Sequence, residues 1–148
     1  MMKCGDCTLC CTLLPIKELD KAETTSCIYC NKGCSIYKDR PASCAEFECL
    51  YNSSKDMDIK LRPDNTHIIF EKVTKDIYLG LIDPRYKDAW KVKGIQDYVN
   101  ELNLKGISVI LSSFSQEPKR MKIAKNHTQE WVHKTAIRLL KKELNGSS

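Results

Sequence analysis

Nine cysteines are the residues of this chain whose type and spacing could do chemistry, and all nine lie between Cys4 and Cys49 of the 148 residues. They form three groups: Cys4, Cys7, Cys10 and Cys11; then Cys27, Cys30 and Cys34; then Cys44 and Cys49. A two-residue spacing lets neighbouring thiolates turn towards one metal through a tight turn whose amides also point at the sulfurs. Gly5 gives the first group the backbone freedom that such a turn needs. All nine cysteines are therefore candidate metal ligands.

The cellular compartment of the protein determines whether its cysteines are expected to bind a metal or to form disulfides. Residues 1–14 lack the uninterrupted apolar stretch of a secretory signal, and no apolar run approaches the roughly 20 residues that span a bilayer. An odd number of cysteines also leaves one thiol over in any complete set of disulfides. We therefore expect a cytoplasmic protein with no membrane association, whose reducing surroundings keep the thiols available to a metal.

The number of cysteines leaves the identity of the metal open. Two tetrahedral zinc sites would use eight thiolates, whereas one 4Fe-4S cluster uses four, so counting favours zinc. The opening Cys4-x2-Cys7-x2-Cys10 instead resembles the ferredoxin-type run that binds a cubane cluster. The side chains of adjacent Cys10 and Cys11 should diverge, so one of them is expected at a second metal or beside the first.

The arrangement of the cysteines resembles the YkgJ-type cysteine cluster family, the CxxCxxCC proteins described as zinc- or iron-chelating. The residues that carry this resemblance are Cys4 to Cys11, Cys27, Gly33-Cys34-Ser35-Ile36-Tyr37 and Arg40-Pro41-x2-Cys44-x2-Phe47-x-Cys49. It extends to Leu61-Arg62-Pro63-Asp64 and to the segment from Asp83-Pro84-Arg85 to Ala89-Trp90, which look like small bacterial and phage-borne members. The resemblance moves the expected cofactor from zinc to an iron-sulfur cluster, with 4Fe-4S favoured and 3Fe-4S as the variant.

Two further residues are expected to support the metal site without binding the metal. Pro41 restrains Arg40 to an extended conformation, which would aim its guanidinium at an anionic thiolate cluster. Tyr37 would shield the site or donate a hydrogen bond to sulfur. The alternative is that both side chains simply pack the small lobe.

The rest of the chain contains no recognised catalytic motif and predicts no substrate pocket, so enzymatic activity is left open. Its histidines lie far from the cysteines in sequence and are expected at surface or core positions: His67, His127 and His133. Its carboxylates are expected in solvent, among them Asp83, Asp88 and Glu101.

The net charge of +5 is concentrated near the end of the chain, where residues 119–142 carry eight basic side chains against Glu130 alone. Clustered lysines and arginines can neutralise phosphates, but a solvated helix face is the expected role of this segment. Trp131 is expected in the core rather than as a stacking platform.

Two hypotheses about function follow from the sequence. The first is a small iron-sulfur protein with a redox, sensing or accessory role and an unidentified protein or redox partner. The second is a zinc-stabilised structural module that contacts nucleic acid or a partner protein.

The elements that must position these residues are predicted by the hydrophobic pattern. Residues 67–73 and 77–82 indicate a hairpin, and an apolar stripe over residues 95–102 indicates a helix that ends at Gly106. Residues 107–111 and 119–125 indicate two more strands. Residues 129–144 indicate a second amphipathic helix, with Val132, Ala136, Leu140 and Leu144 inward.

We therefore predict an α+β fold in one domain, residues 1–148. An irregular cysteine-rich metal-binding lobe, residues 1–50, would pack on a small, mostly antiparallel sheet with two helices, residues 67–144. Residues 51–66 are polar and are predicted as a connector, and residues 145–148 as a frayed tail.

Overall fold

The computed structural model describes residues 9–22, 25–30, 34–42, 44, 49–54, 57–113 and 120–144. For residues 12, 17, 37, 52 and 142–144 it describes the backbone alone. The predicted tail, residues 145–148, lies outside these ranges.

A four-stranded mixed sheet forms the centre of the fold. Its strands are β1 (Ile68–Lys72), β2 (Ile77–Ile82), β3 (Ser108–Ser112) and β4 (Arg120–Lys122), in the order β1-β2-β3-β4. The outer pairs, β1 with β2 and β3 with β4, are antiparallel, whereas β2 and β3 are parallel. The parallel pair arises because a helix connects β2 to β3, and only such a crossover returns the chain in the same direction. The predicted α+β fold with a mostly antiparallel sheet is confirmed.

Two helices, both predicted from their apolar periodicity, cover the two faces of the sheet. The helical elements are α1 (Leu9–Leu13), α2 (Leu50–Ser53), α3 (Pro63–Thr66), α4 (Lys93–Leu104) and α5 (Gln129–Leu144). Short 3₁₀ turns occupy Lys17–Leu19, Tyr37–Asp39, Ile59–Leu61, Pro84–Tyr86 and Ala89–Lys91. Because side chains alternate along a strand, Ile68 and Phe70 pack under α4 while Ile69 between them packs under α5.

Helix α4 ends where the sequence predicted. Gly106 has φ +83, a left-handed conformation that only glycine adopts without strain. The amide of Gly106 donates to the carbonyl oxygen of Asn103 at 3.0 Å, and the amide of Ile107 donates to that of Leu102 at 3.0 Å. These two bonds satisfy carbonyl groups that the last helical turn leaves open.

A glycine in β2 sets the spacing of the core under α4. A β-carbon at Gly80 would lie 2.6 Å from Cδ2 of Leu111 and 3.1 Å from Cε1 of Phe70. Both of these side chains are almost fully buried. Any larger residue at Gly80 would therefore push apart the side chains that join the sheet to α4.

The cysteine-rich segment packs on the same sheet face as α5. Leu9 and Leu13 of α1 belong to the core cluster formed with α5, and Cys10 and Cys49 lie against that cluster. The other described residues of the segment form short turns, as predicted.

The predicted connector, residues 51–66, has more order than its polar composition suggested. It contains most of α2, the turn Ile59–Leu61 and α3, with Tyr51 and Pro63 buried. Among the described residues, no helix has both the length and the apolar character needed to cross a membrane.

Candidate metal centre

Helix α1 positions the two cysteines of the first group that the structure describes. Leu9 and Leu13 stand one turn apart and are 6% and 1% exposed, so their burial fixes the orientation of this single turn. Cys10 and Cys11 lie between them and are half-buried. Core packing, rather than helix propensity, therefore holds these two thiols in place.

The second group is tied to the first through the backbone. The amide of Cys27 donates to the carbonyl oxygen of Cys11 at 2.9 Å. Within the Cys27-x2-Cys30 turn, the amide of Tyr29 donates to Sγ of Cys27 at 3.4 Å, and the amide of Cys30 donates to the carbonyl oxygen of Cys27 at 3.0 Å. An amide directed at sulfur is the feature expected of a metal-binding knuckle with this spacing.

A short antiparallel bridge closes the second group. It pairs Cys30 with Cys34. Just beyond it, the amide and the hydroxyl of Ser35 both donate to the carbonyl oxygen of Tyr29, at 2.8 and 2.7 Å. Both cysteines of the bridge are half-buried, so their thiols remain close to the protein surface.

The third group begins at Cys44 and ends at Cys49, the residue that precedes α2. Burial raises the pKa of the Cys44 thiol to about 11, and negative charge on Cys11, Cys34 and Cys27 acts in the same direction. Members of all three groups are therefore close enough for their charges to interact.

The thiol of Cys11 has a pKa lowered to about 6, and the largest cause is a hydrogen bond from Cys10 to its sulfur. Burial opposes this shift. A second hydrogen bond, from Cys30, and the attraction between the thiolate and Lys21 lower the pKa further. A lowered pKa favours the thiolate form of the side chain. Thiolates are both the nucleophilic and the metal-binding form of cysteine.

Lys21 is a charged neighbour of the thiols that the sequence analysis did not identify. Its ammonium group donates to the carbonyl oxygen of Leu14 and, at 3.4 Å, to that of Ala22. Burial lowers the pKa of Lys21, and the cysteine charges around it oppose that effect. No spacing marks this lysine in the sequence. Its backbone is brought to the site by the bridge between Ile16 and Lys21.

Arg40, predicted to offset thiolate charge, adopts the extended conformation that Pro41 requires, with φ −61 and ψ 151. Arg40 as a whole residue is half-buried. Lys21 is a cation that acts on Cys11, whereas the role of Arg40 towards the thiols stays a prediction. The side chain of Tyr37 and the whole of Cys4 and Cys7 lie outside the described residues.

Within the described ranges, no group of three or more cysteine, histidine or acidic side chains is arranged to hold one metal ion. None of the seven cysteines in these ranges forms a disulfide. The donors nevertheless fit a thiolate-bound metal in their chemistry, because they combine several thiols, one low-pKa sulfur, an amide donor to sulfur and a neighbouring cation.

The histidines occupy other parts of the fold. His67 stacks on Tyr86, with ring centroids 3.6 Å apart. Nδ1 of His127 lies 2.6 Å from Oγ of the fully buried Ser108. His133 is exposed on α5.

Two expectations about single side chains are wrong. Asp83, expected in solvent, is 0% exposed, because Arg85 binds both of its carboxylate oxygens. Trp131, expected in the core, is 45% exposed and tilts against His127 with ring centroids 4.9 Å apart. An aspartate before a proline commonly starts a turn, so the Asp83-Pro84 pair was a signal that this side chain is engaged.

Comparison with known proteins adds no assignment, since no family model, no curated protein and no solved structure matches the chain. The resemblance to YkgJ-type proteins therefore rests on the quoted residues alone.

Proposed function

We propose that the cysteine-rich segment binds an iron-sulfur cluster of the 4Fe-4S or 3Fe-4S type, and that the protein has a redox, sensing or accessory role in the cytoplasm. The observation that carries the proposal is the position of Cys11, whose sulfur is hydrogen bonded by Cys10 of its own group and by Cys30 of the second. Charge on Cys11 in turn acts on Cys44 of the third group. Thiols that are separated in sequence thus lie near one another.

Residues of the cysteine-rich segment would have different roles at such a cluster. The nine cysteines are the candidate ligands, of which a 4Fe-4S cluster needs four. A bound cluster would supply one-electron redox chemistry. Lys21 would offset part of the negative charge of the thiolates, and the amide of Tyr29 would hydrogen bond to a ligand sulfur, two effects that tune a cluster's potential.

Anaerobic purification with metal analysis tests this proposal. We expect a brown protein with visible thiolate-to-iron charge-transfer absorption and with iron and sulfide in stoichiometric amounts. Cys11→Ser and Cys30→Ser should each lower the iron content, whereas Ser26→Ala, a change at an exposed residue beside Cys27, should leave it unchanged. A colourless protein with stoichiometric zinc would overturn the iron-sulfur assignment, and a protein that binds neither metal would overturn metal binding altogether.

A second candidate is a zinc-stabilised module that contacts nucleic acid or a partner protein. It is favoured by the outer surface of α5, where Lys134, Arg138 and Lys141 are exposed together with Trp131. Binding to phosphates through these cations should fall steeply with salt. Titration of a short DNA duplex at two ionic strengths tests this candidate, and an affinity that ignores salt, or no binding at low salt, would reject it.

A further inference from the structure

A cleft of about 600 Å³ lies apart from the cysteines, between residues 60–67 and residues 85–95. Cysteine side chains are absent from the residues that line it within the described ranges. Its volume falls in the range of about 300 to 1,000 Å³ that is usual for small-molecule sites. Both extensions of the sequence resemblance, at residues 61–64 and 83–90, contribute residues to this cleft.

Two motifs of opposite order, Arg62-Pro63-Asp64 and Asp83-Pro84-Arg85, lie within or next to the two segments that line the cleft, and Arg85 is itself a lining residue. In the first, Nε and Nη2 of Arg62 donate to the two carboxylate oxygens of Asp64, both at 2.6 Å. In the second, Nη2 of Arg85 donates to Oδ2 of Asp83 at 2.7 Å and Nε donates to Oδ1 at 3.1 Å. Each proline begins a helical turn.

The two sides are also joined to each other. The amide of Asp83 donates to the carbonyl oxygen of His67 at 2.9 Å. His67 itself has φ 63, a left-handed conformation that an L-residue rarely adopts, and it caps α3 through a 2.7 Å bond from its amide to the carbonyl oxygen of Pro63. Hydrogen bonds therefore connect the two segments on either side of the cleft.

An aromatic pair lies at one side of the cleft. The rings of His67 and Tyr86 are 3.6 Å apart at their centroids and within 5° of parallel. Tyr86 is still 46% exposed, so aromatic surface remains available to a ligand ring.

The remaining lining is apolar in its walls and basic at its rim. Leu61, Ala89, Val92 and Ile95 supply the apolar part, and Lys60 and Lys87 supply two cations. Arg85 also lines the cleft, but its charge is paired with that of Asp83. Asp88, the carboxylate among the described lining residues, forms an ion pair with Lys91 at 3.4 Å. Because apolar and aromatic walls meet an excess of positive charge, the ligand that fits has a flat ring and a negative group.

We propose that this cleft binds a small planar aromatic anion, an aromatic ring carrying a carboxylate or a phosphate group. The ring packs against Tyr86 and the apolar residues, and the anionic group lies near Lys60 and Lys87. This site is independent of the cysteines, so the proposal stands whether or not the thiols hold a metal.

Titration of the full-length protein with 2-naphthoate, followed by amide chemical shifts in ¹⁵N-labelled protein, tests the proposal. We expect saturable shifts at Thr66, His67, Tyr86 and Gly94, and weaker binding of the uncharged 2-naphthamide. Phenyl phosphate, titrated in parallel, distinguishes a phosphate from a carboxylate as the preferred group. The same residues shifting equally with naphthamide would overturn the requirement for an anion.

Gly94 provides the blocking variant, because it lines the cleft and a β-carbon there would meet no atom within 4 Å, so a larger side chain is tolerated without a clash. Gly94→Leu should fill part of the cleft and weaken naphthoate binding at least tenfold. Lys60→Gln with Lys87→Gln should weaken it roughly three- to tenfold, as expected for the loss of two exposed charges.

Controls separate occupancy of the cleft from general charge and stability effects. Lys75→Gln with Lys125→Gln removes two exposed cations that do not line the cleft, and should leave the naphthoate affinity unchanged. Thermal unfolding should show that every variant is folded. Naphthoate binding that survives Gly94→Leu undiminished, or an absence of shifts around the cleft, would overturn the proposal.

Discussion

Asp83 shows what one side chain contributes to the architecture of this protein. It is fully buried, and its charge is balanced by Arg85, whose own side chain is 65% exposed. Burial alone would raise the pKa of Asp83, but the hydrogen bonds from the side chain and the backbone of Arg85 outweigh burial and lower it. The ionised form is therefore the one that the fold stabilises.

Removing the partner of this carboxylate should destabilise the protein. Arg85→Ala should lower the free energy of unfolding at pH 7 by about 2 kcal/mol, less than for a fully buried pair because the guanidinium is exposed. Urea unfolding measures the loss. As a control, Lys93→Ala breaks an ion pair with Asp97 in which both side chains are exposed, and should cost under about 0.5 kcal/mol.

The same pair predicts a pH dependence. The folded-state pKa of Asp83 lies below its unfolded value, so the ionised carboxylate stabilises the folded protein. This contribution to the free energy of unfolding is complete above the unfolded pKa of about 3.9 and is lost as the pH falls through the folded value. In Arg85→Ala the unpaired carboxyl would instead take up a proton more readily. The difference between the two proteins should shrink as the pH falls from 7 towards 4, and a constant difference would contradict this account.

Gly80 gives a second prediction at the scale of a residue. Gly80→Ala places a methyl group 2.6 Å from Cδ2 of Leu111 and should lower the free energy of unfolding by about 1 to 3 kcal/mol through overpacking. Chemical denaturation measures the effect. Gly94→Ala, where the added methyl group meets open space, is the matched control and should be neutral or stabilising. Equal effects at the two glycines would exclude steric crowding as the reason for Gly80.

At the scale of elements, α1 is a single turn that depends on two buried leucines. Leu13→Ala should lower the free energy of unfolding by about 2 to 4 kcal/mol and should speed hydrogen exchange in α1, because Leu13 is one of the two buried leucines that anchor the turn. Leu104→Ala, at a residue that is 86% exposed on α4, should have little effect. Unchanged exchange at Cys10 and Cys11 in Leu13→Ala would mean that the cysteines are held by something other than this turn.

The longer elements were predictable because each carries a periodic pattern that is several residues long. Helix α5 has the predicted bounds, and Met121 and Ile123 face the core as the alternation of the last strand predicted. Shorter elements depend on a few contacts from distant residues. The order within residues 51–66 was not predicted for that reason, since Tyr51 and Pro63 are buried by contacts with the rest of the fold and no local apolar pattern marks them.

At the scale of the whole molecule, the cysteine-rich segment and the sheet draw on different sources of stability. The sheet and its two helices bury two continuous apolar clusters, to which the described residues of the cysteine segment contribute only a few side chains. If a metal orders that segment, removal of the metal should affect it selectively.

Chelation therefore provides a prediction for the whole chain. Anaerobic treatment with a strong chelator should increase hydrogen exchange across residues 1–50 while residues 67–144 keep their protection. Gly80→Ala serves as the converse control, since it should loosen the sheet first. Unchanged exchange in residues 1–50 after the metal is lost would contradict a metal-dependent segment.

The sequence alone was enough to predict the α+β class, the four strands, the two long helices and the thiol-rich character of the first 50 residues, because periodicity and composition are local properties. Tertiary structure alone decided which groups meet. It brought Lys21 close enough to Cys11 to attract its thiolate, and it brought residues 60–67 and residues 85–95 to one cleft. Such contacts depend on how the chain folds back on itself, and no spacing along the chain encodes the distance between residues that are ten or more positions apart.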